Sequence, residues 1–251
     1  MSKADKLADD PIVEAILEIR FDAHELKEVV VGRLSDAPHW RLASKTRLST
    51  ADIPEPIRTA NAVLKFQPTI ELTGLADIGK IRIGGNVISA HFLQPYAGWD
   101  EVVFPKLKEL IGFVFRTFPS FEIERLGLRY VNVFTARRHF VSTVRDLAVE
   151  VRTGGAISSR PINLSISASL DETHSMQARI ASRDFLQGDF PDDAGAAVDI
   201  DISTPTALRS WKEDDVADWV SRAHELEKSE FRRLLPDSLY ERLREKNAPN
   251  H

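Results

Sequence analysis

Cysteine is absent from the 251 residues of this chain. Disulfides, thiol nucleophiles, thiolate zinc sites and iron–sulfur clusters are thereby excluded. Long apolar runs are absent too. The stretch Leu110 to Phe115 falls far short of a membrane span. The start, Met1-Ser2-Lys3-Ala4-Asp5-Lys6, has no apolar core of the signal-peptide kind. There is no excess of basic residues. The net charge is −5, which disfavours general nucleic-acid binding, because phosphate neutralisation needs a basic surface. Motifs that announce chemistry are missing as well. Gly84-Gly85-Asn86 lacks the Walker spacing, and neither G-x-G-x-x-G, G-x-S-x-G nor H-E-x-x-H occurs. The expectation is a cytoplasmic, bacterial-type soluble protein with no membrane segment and no cofactor.

What is present is periodicity. Val13, Ala15, Leu17, Ile19 and Phe21 alternate with Glu14, Glu18 and Arg20, as in a half-buried strand. Asp22 is then placed to cap a helix running to about Leu34. Weaker strand character follows at 42–50, then strands over Val63–Leu72 and Lys80–Phe92. Trp99 to Phe118 repeats Val103, Leu107, Leu110, Ile111 and Val114 at helical spacing. The second half begins alike, with a strand over 122–134 and a helix over 140–150 ended by Gly154-Gly155. Strands are expected near 162–170, 174–182 and 196–203. A long helix covers 213–234, Pro236 stops it, and a short helix follows to about Arg244.

Each half therefore reads β-α-β-β-β-α, an internal echo in element order with little repetition of residue identity. The expected class is α+β, with units over 11–120 and 121–245. Short turns between consecutive strands imply mostly antiparallel sheets, each covered by one long helix. Side by side the units would make a continuous sheet of roughly eight strands, or two sheets meeting at a pseudo-two-fold. Their uncovered faces would offer a concave surface or a homodimer contact.

Three stretches carry a resemblance. They are Pro11-Ile-Val-Glu-Ala-Ile-Leu-Glu-Ile-Arg20, Arg125-Leu-Gly-Leu-Arg-Tyr-Val-Asn132, and Ala223-His224 followed by Phe231. Over nearly its whole length the chain resembles a sporadically distributed family of uncharacterised bacterial proteins. That resemblance implies no catalytic residues. It implies a setting among mobile elements, toxin–antitoxin pairs or phage defence.

Candidate residues are few. Arg125, Gly127 and Arg129 share one strand face. They read either as an anion-binding stripe or as partners of acidic neighbours such as Glu14 and Glu18. Gly127 between them would let a partner approach the backbone. His224 lies on the buried stripe of the last long helix, as a general base or as a packed histidine bonded to a strand carbonyl. Asp199 and Asp201 share a strand face and read as a metal-binding pair or as an ordinary half-exposed strand. Trp40 is an interaction anchor or a core plug. The leading expectation is a non-enzymatic binding protein. It would take a partner protein or a small anionic ligand at the seam between its halves. The alternative is a metal-dependent phosphodiesterase or nuclease built on Asp199 and Asp201.

Overall fold

The computed structural model describes residues 7–75, 77–157, 160–186, 189–205 and 211–244. Its centre is the strand β1 (Ile12–Asp22). Ala15, Leu17, Ile19 and Phe21 are buried on one face of β1, and the alternate positions are half-buried on the other. After α1 (Lys27–Ser35) come β2 (Ser44–Arg47), α2 (Glu55–Ala60), β3 (Ile70–Thr73), β4 (Lys80–Gly84) and β5 (Val87–Leu93). A π-helical turn at Trp99–Val103 leads into α3 (Phe104–Thr117). The second half contributes β6 (Glu122–Thr135), α4 (Ala136–His139), β7 (Arg152–Thr153), β8 (Ala156–Ile157), β9 (Asn163–Ser169), β10 (Ser175–Ser182) and β11 (Ala194–Ser203). It ends with α5 (Glu213–Arg233) and α6 (Asp237–Arg244).

The fold is mixed α+β on one nine-stranded sheet, ordered β2-β3-β4-β5-β1-β6-β11-β10-β9. All of its described pairings are antiparallel. β7 and β8 form a separate hairpin. The two expected segments thus meet inside a single sheet, where β1 pairs with β6. Outward from that pair the chain order runs the same way on both sides. β5, β4 and β3 follow β1, and β11, β10 and β9 follow β6. β2 extends only the first side.

Helices cover one sheet face. Leu107, Leu110, Ile111 and Val114 of α3 are buried, as are Val216, Trp219, Val220 and Ala223 of α5. α3 packs on α5, and α5 on β6 and β11. These side chains belong to one hydrophobic core drawn from both halves. Trp40 resolves as a plug in it. Its indole donates to the Leu34 carbonyl at 2.6 Å and meets Phe113 edge-on.

Four local expectations need correction. The strand expected over Val63–Leu72 begins only at Ile70, because the Asn61 side chain accepts from the backbone N–H of Val63 and Leu64 and bends the chain there. The Asp22 carboxylate does not cap α1. It accepts from His24 N–H and the Lys27 ammonium, and the helix starts at Lys27 without a side-chain cap. Of the helix expected over 140–150 only a 3-10 turn at Val144–Asp146 forms, preceded by the short α4. Phe140 in the left-handed region stops α4, and a reciprocal Thr143–Asp146 capping box closes the turn. Gly154 and Gly155, with φ of 58° and 81°, form the tip of the β7–β8 hairpin rather than a helix end.

Candidate functional site

A cavity of about 630 Å³ lies on the helix-covered side of the sheet, where the two halves meet. Its walls come from the start of β1, from Tyr130 on β6, from the Tyr96–Glu101 segment, from α5 and from α6. The volume falls in the range of small-molecule sites, roughly 300–1,000 Å³. The chain has three tyrosines, and Tyr96, Tyr130 and Tyr240 all line this space. A tyrosine presents a hydroxyl from an otherwise apolar wall.

Local sequence explains the convergence. Tyr130 follows Leu126 and Leu128 on the inward face of β6, so strand alternation points it at the helices. Gly98 adopts φ of 96°, a conformation open to glycine, and so turns the chain into the π-helical segment. That turn lays the Trp99 indole flat on the His224 imidazole, with centroids 3.9 Å apart and planes 10° apart. On α5 the inward stripe is Val216, Val220, Ala223, His224, Glu227 and Phe231. A histidine and a glutamate, one turn apart, thus occupy places where apolar residues are the rule.

The polar groups form a short chain with two loose ends. The Tyr96 and Tyr130 hydroxyls are 3.4 Å apart, and the Tyr130 hydroxyl is 3.0 Å from His224 Nδ1. His224 therefore bonds a strand side chain rather than the expected carbonyl. Burial, reinforced by nearby Lys228, holds its pKa down at about 4, so the ring is neutral at pH 7. Its Nε2 is buried and has no hydrogen-bond partner. Glu227 is 5% exposed, and no described group hydrogen-bonds to its carboxyl. Burial pushes that carboxyl up to about 8, so it is mainly a neutral acid at pH 7. Buried polar groups in folded proteins are nearly always satisfied. An unmade bond costs about 1–3 kcal/mol, so a buried His224 Nε2 without a partner, one turn from a buried glutamate without one among the described residues, needs an explanation.

The arginines lie elsewhere. Arg125, Gly127 and Arg129 sit on the uncovered face of the sheet, so β6 itself separates them from His224. Arg125 reaches Glu18 at 3.1 Å and Asp201 at 2.5 Å. Arg129 grips Asp199 with two bonds, of 2.7 and 2.5 Å. Both carboxylates of the expected metal pair are thus held by arginine. Among the described residues no group of three or more His, Asp or Glu is arranged to hold a metal ion. The space beside Gly127 is taken by the Arg125 guanidinium, whose Nη1 an added Cβ would meet.

The same uncovered face holds one arrangement that pattern reading did not find. Ser89 Oγ lies 2.9 Å from His91 Nε2, and His91 Nδ1 lies 2.9 Å from Glu14 Oε1. His91 and nearby Lys80 hold the Glu14 carboxyl at about 2, against the opposing effect of burial, which is the largest single influence. The order hydroxyl–imidazole–carboxylate is that of a hydrolytic triad. The setting is not. Ser89 is buried in mid-strand, paired with Glu18 on one side and Arg82 on the other. A strand paired on both sides leaves no N–H groups to receive an oxyanion. The chain of bonds instead ties β5 to β1.

The residue that sequence reading missed in the cavity is Glu227. Its signal was legible: four residues before Phe231 and three after His224, it is a charge on the apolar stripe. Comparison with protein-family models, with curated proteins and with solved structures finds no match. Among the described residues no helix is long and apolar enough to cross a membrane.

Proposed function

We propose that the protein is a binding protein whose ligand is a small organic molecule held in the cavity at the β1–β6 seam. The observation that carries this reading is the Glu227 carboxyl, which lines an aromatic-walled space without a hydrogen-bond partner among the described residues, next to the buried, unpartnered Nε2 of His224. A ligand that bonds the Glu227 carboxyl would supply its missing partner, and the aromatic carbon of the tyrosines would line its body. A free small molecule fits the observations better than a partner protein, because the polar groups lie inside the cavity and the outer arginines are already paired. The mirrored strand order around β1 and β6 supports a further part of the proposal. The two halves descend from one duplicated β-α-β-β-β-α unit, and the site arose where the copies join.

The alternative, a metal-dependent phosphodiesterase, lacks this support, because each of its two aspartates is bound by an arginine. The test uses the chain's tyrosine usage. With carbon-13 in tyrosine alone, three ring spin systems report on the cavity wall. A fragment library is titrated in. Fragments that bind should shift the Tyr96, Tyr130 and Tyr240 signals together. Binding that leaves all three unmoved would place the ligand site elsewhere.

A further inference from the structure

Resting on that reading, we propose that the seam cavity takes a small planar organic cation, an amidine, guanidine or protonated heteroaromatic amine, with its N–H groups on Glu227 and its plane against the aromatic walls. This reverses the anionic ligand expected from the arginines.

Three observations converge. The first is the sign of the lining. Asp10, Asp100, Glu101 and Glu225 line or rim the cavity beside the neutral Glu227, against the basic Lys228 and Arg232. Arg232 is already committed. It donates to the Leu235 carbonyl, pairs with Asp237 and lies over the Tyr240 ring at 4.1 Å. A cation is attracted to such a lining and an anion is repelled.

The second is the unmet bonding capacity of Glu227. A carboxylate offers two acceptor oxygens side by side and matches a forked pair of N–H donors. The protein supplies no such donor to it among the described residues. A carboxyl to which no described residue gives a cation, at the wall of a cavity, is arranged for a cation from outside. Burial keeps it protonated while the cavity is empty, and a ligand carrying charge and N–H groups would favour the ionised form.

The third is the wall. Tyr96, Tyr130, Phe231 and Tyr240 line the space. The Trp99 indole is stacked between His224 and Phe104, and Arg232 already lies over the Tyr240 ring, a cation in the place the ligand's would take. Faces of aromatic rings attract cations, and more strongly when water is excluded. An anion would gain nothing there.

The experiment uses three probes of nearly equal shape: benzamidine as cation, benzamide as neutral amide and benzoate as anion. Each is titrated into the intact protein at neutral pH and read on the tyrosine signals. Benzamidine is expected to bind at least about tenfold more tightly than the other two. In Glu227→Gln, which keeps size and removes the capacity to ionise, benzamidine should fall to the level of benzamide. Circular dichroism melts on the same sample establish that the variant is folded. Benzoate or benzamide binding as well as benzamidine, or unchanged benzamidine affinity in Glu227→Gln, would overturn the cation assignment and leave the seam cavity standing. The cation assignment is overturned equally if none of the three probes moves the tyrosine signals while other fragments do. If no fragment of any charge moves them, the cavity reading itself falls.

Discussion

Glu227 couples the cavity to the stability of the whole fold, and its replacement by glutamine should show this as a change in pH dependence. The carboxyl titrates near 4.5 in an unfolded chain and near 8 in the folded one, because burial disfavours its ionised form. Between those values the folded protein holds a proton that the unfolded chain has released. Stability therefore falls as pH rises across that window and levels off above about 8. At about 1.4 kcal/mol per pH unit, the total is on the order of 4–5 kcal/mol, a large part of the stability of an ordinary domain. Glutamine has nearly the same shape and no titrating proton. The substitution should be close to neutral at about pH 5, and the variant should exceed the wild type by several kcal/mol at about pH 9. Other titrating groups are common to both proteins and cancel in the difference. Urea denaturation of the two proteins at several pH values measures it. A difference that stays constant from pH 5 to pH 9 would mean that Glu227 is ionised in the fold, and the reasoning would fail.

Further outcomes follow from the same contacts. His224 is neutral in the fold down to about pH 4 and protonates near 6.5 when unfolded, so wild-type stability should drop as pH falls from 6.5 to 4. His224→Phe keeps the stacking on Trp99 and should remove most of that drop in urea titrations. Arg125→Ala leaves Asp201 without its paired guanidinium, while Glu18 keeps Arg20, so it should lower stability by about 1–3 kcal/mol. Arg129→Ala, at a more exposed pair, should cost under about 1 kcal/mol, and neither should alter fragment binding at the tyrosines. Leu110→Ala in the α3 stripe should cost roughly 2–5 kcal/mol in denaturant midpoint analysis. A cost below about 0.5 kcal/mol would place that side chain at the surface.

Elements with a strong period were legible in the sequence. β1, α3, β6 and α5 carry long apolar stripes, and their bounds were read to within a few residues. Elements set by side-chain bonds to backbone were not. Asn61 turned an expected strand into a turn, and the Thr143–Asp146 box turned an expected helix into a single 3-10 turn. Neither device has a hydrophobic period to betray it. The site was half legible. His224 stood out as a histidine on an apolar stripe. Glu227 lies on the same stripe but merges with the charged run Glu225 to Glu230, so only its register marks it. The arginines drew attention because strand spacing puts them on one face. Their partners, Asp199 and Asp201, sit on β11, and no local pattern reveals that β11 pairs with β6 in the register that opposes Asp201 to Arg129. Tyr96 and Trp99 come from a glycine-turned segment, whose direction only the packed structure gives.

The central claim is that the seam cavity is a ligand site, and a crystal structure of the protein soaked with its tightest-binding fragment tests it most directly. Density is expected between Trp99 and Tyr240, with a ligand nitrogen within hydrogen-bond distance of the Glu227 carboxyl. Ligand density on the uncovered face of the sheet beside Arg125 and Arg129, with the cavity empty, would contradict it.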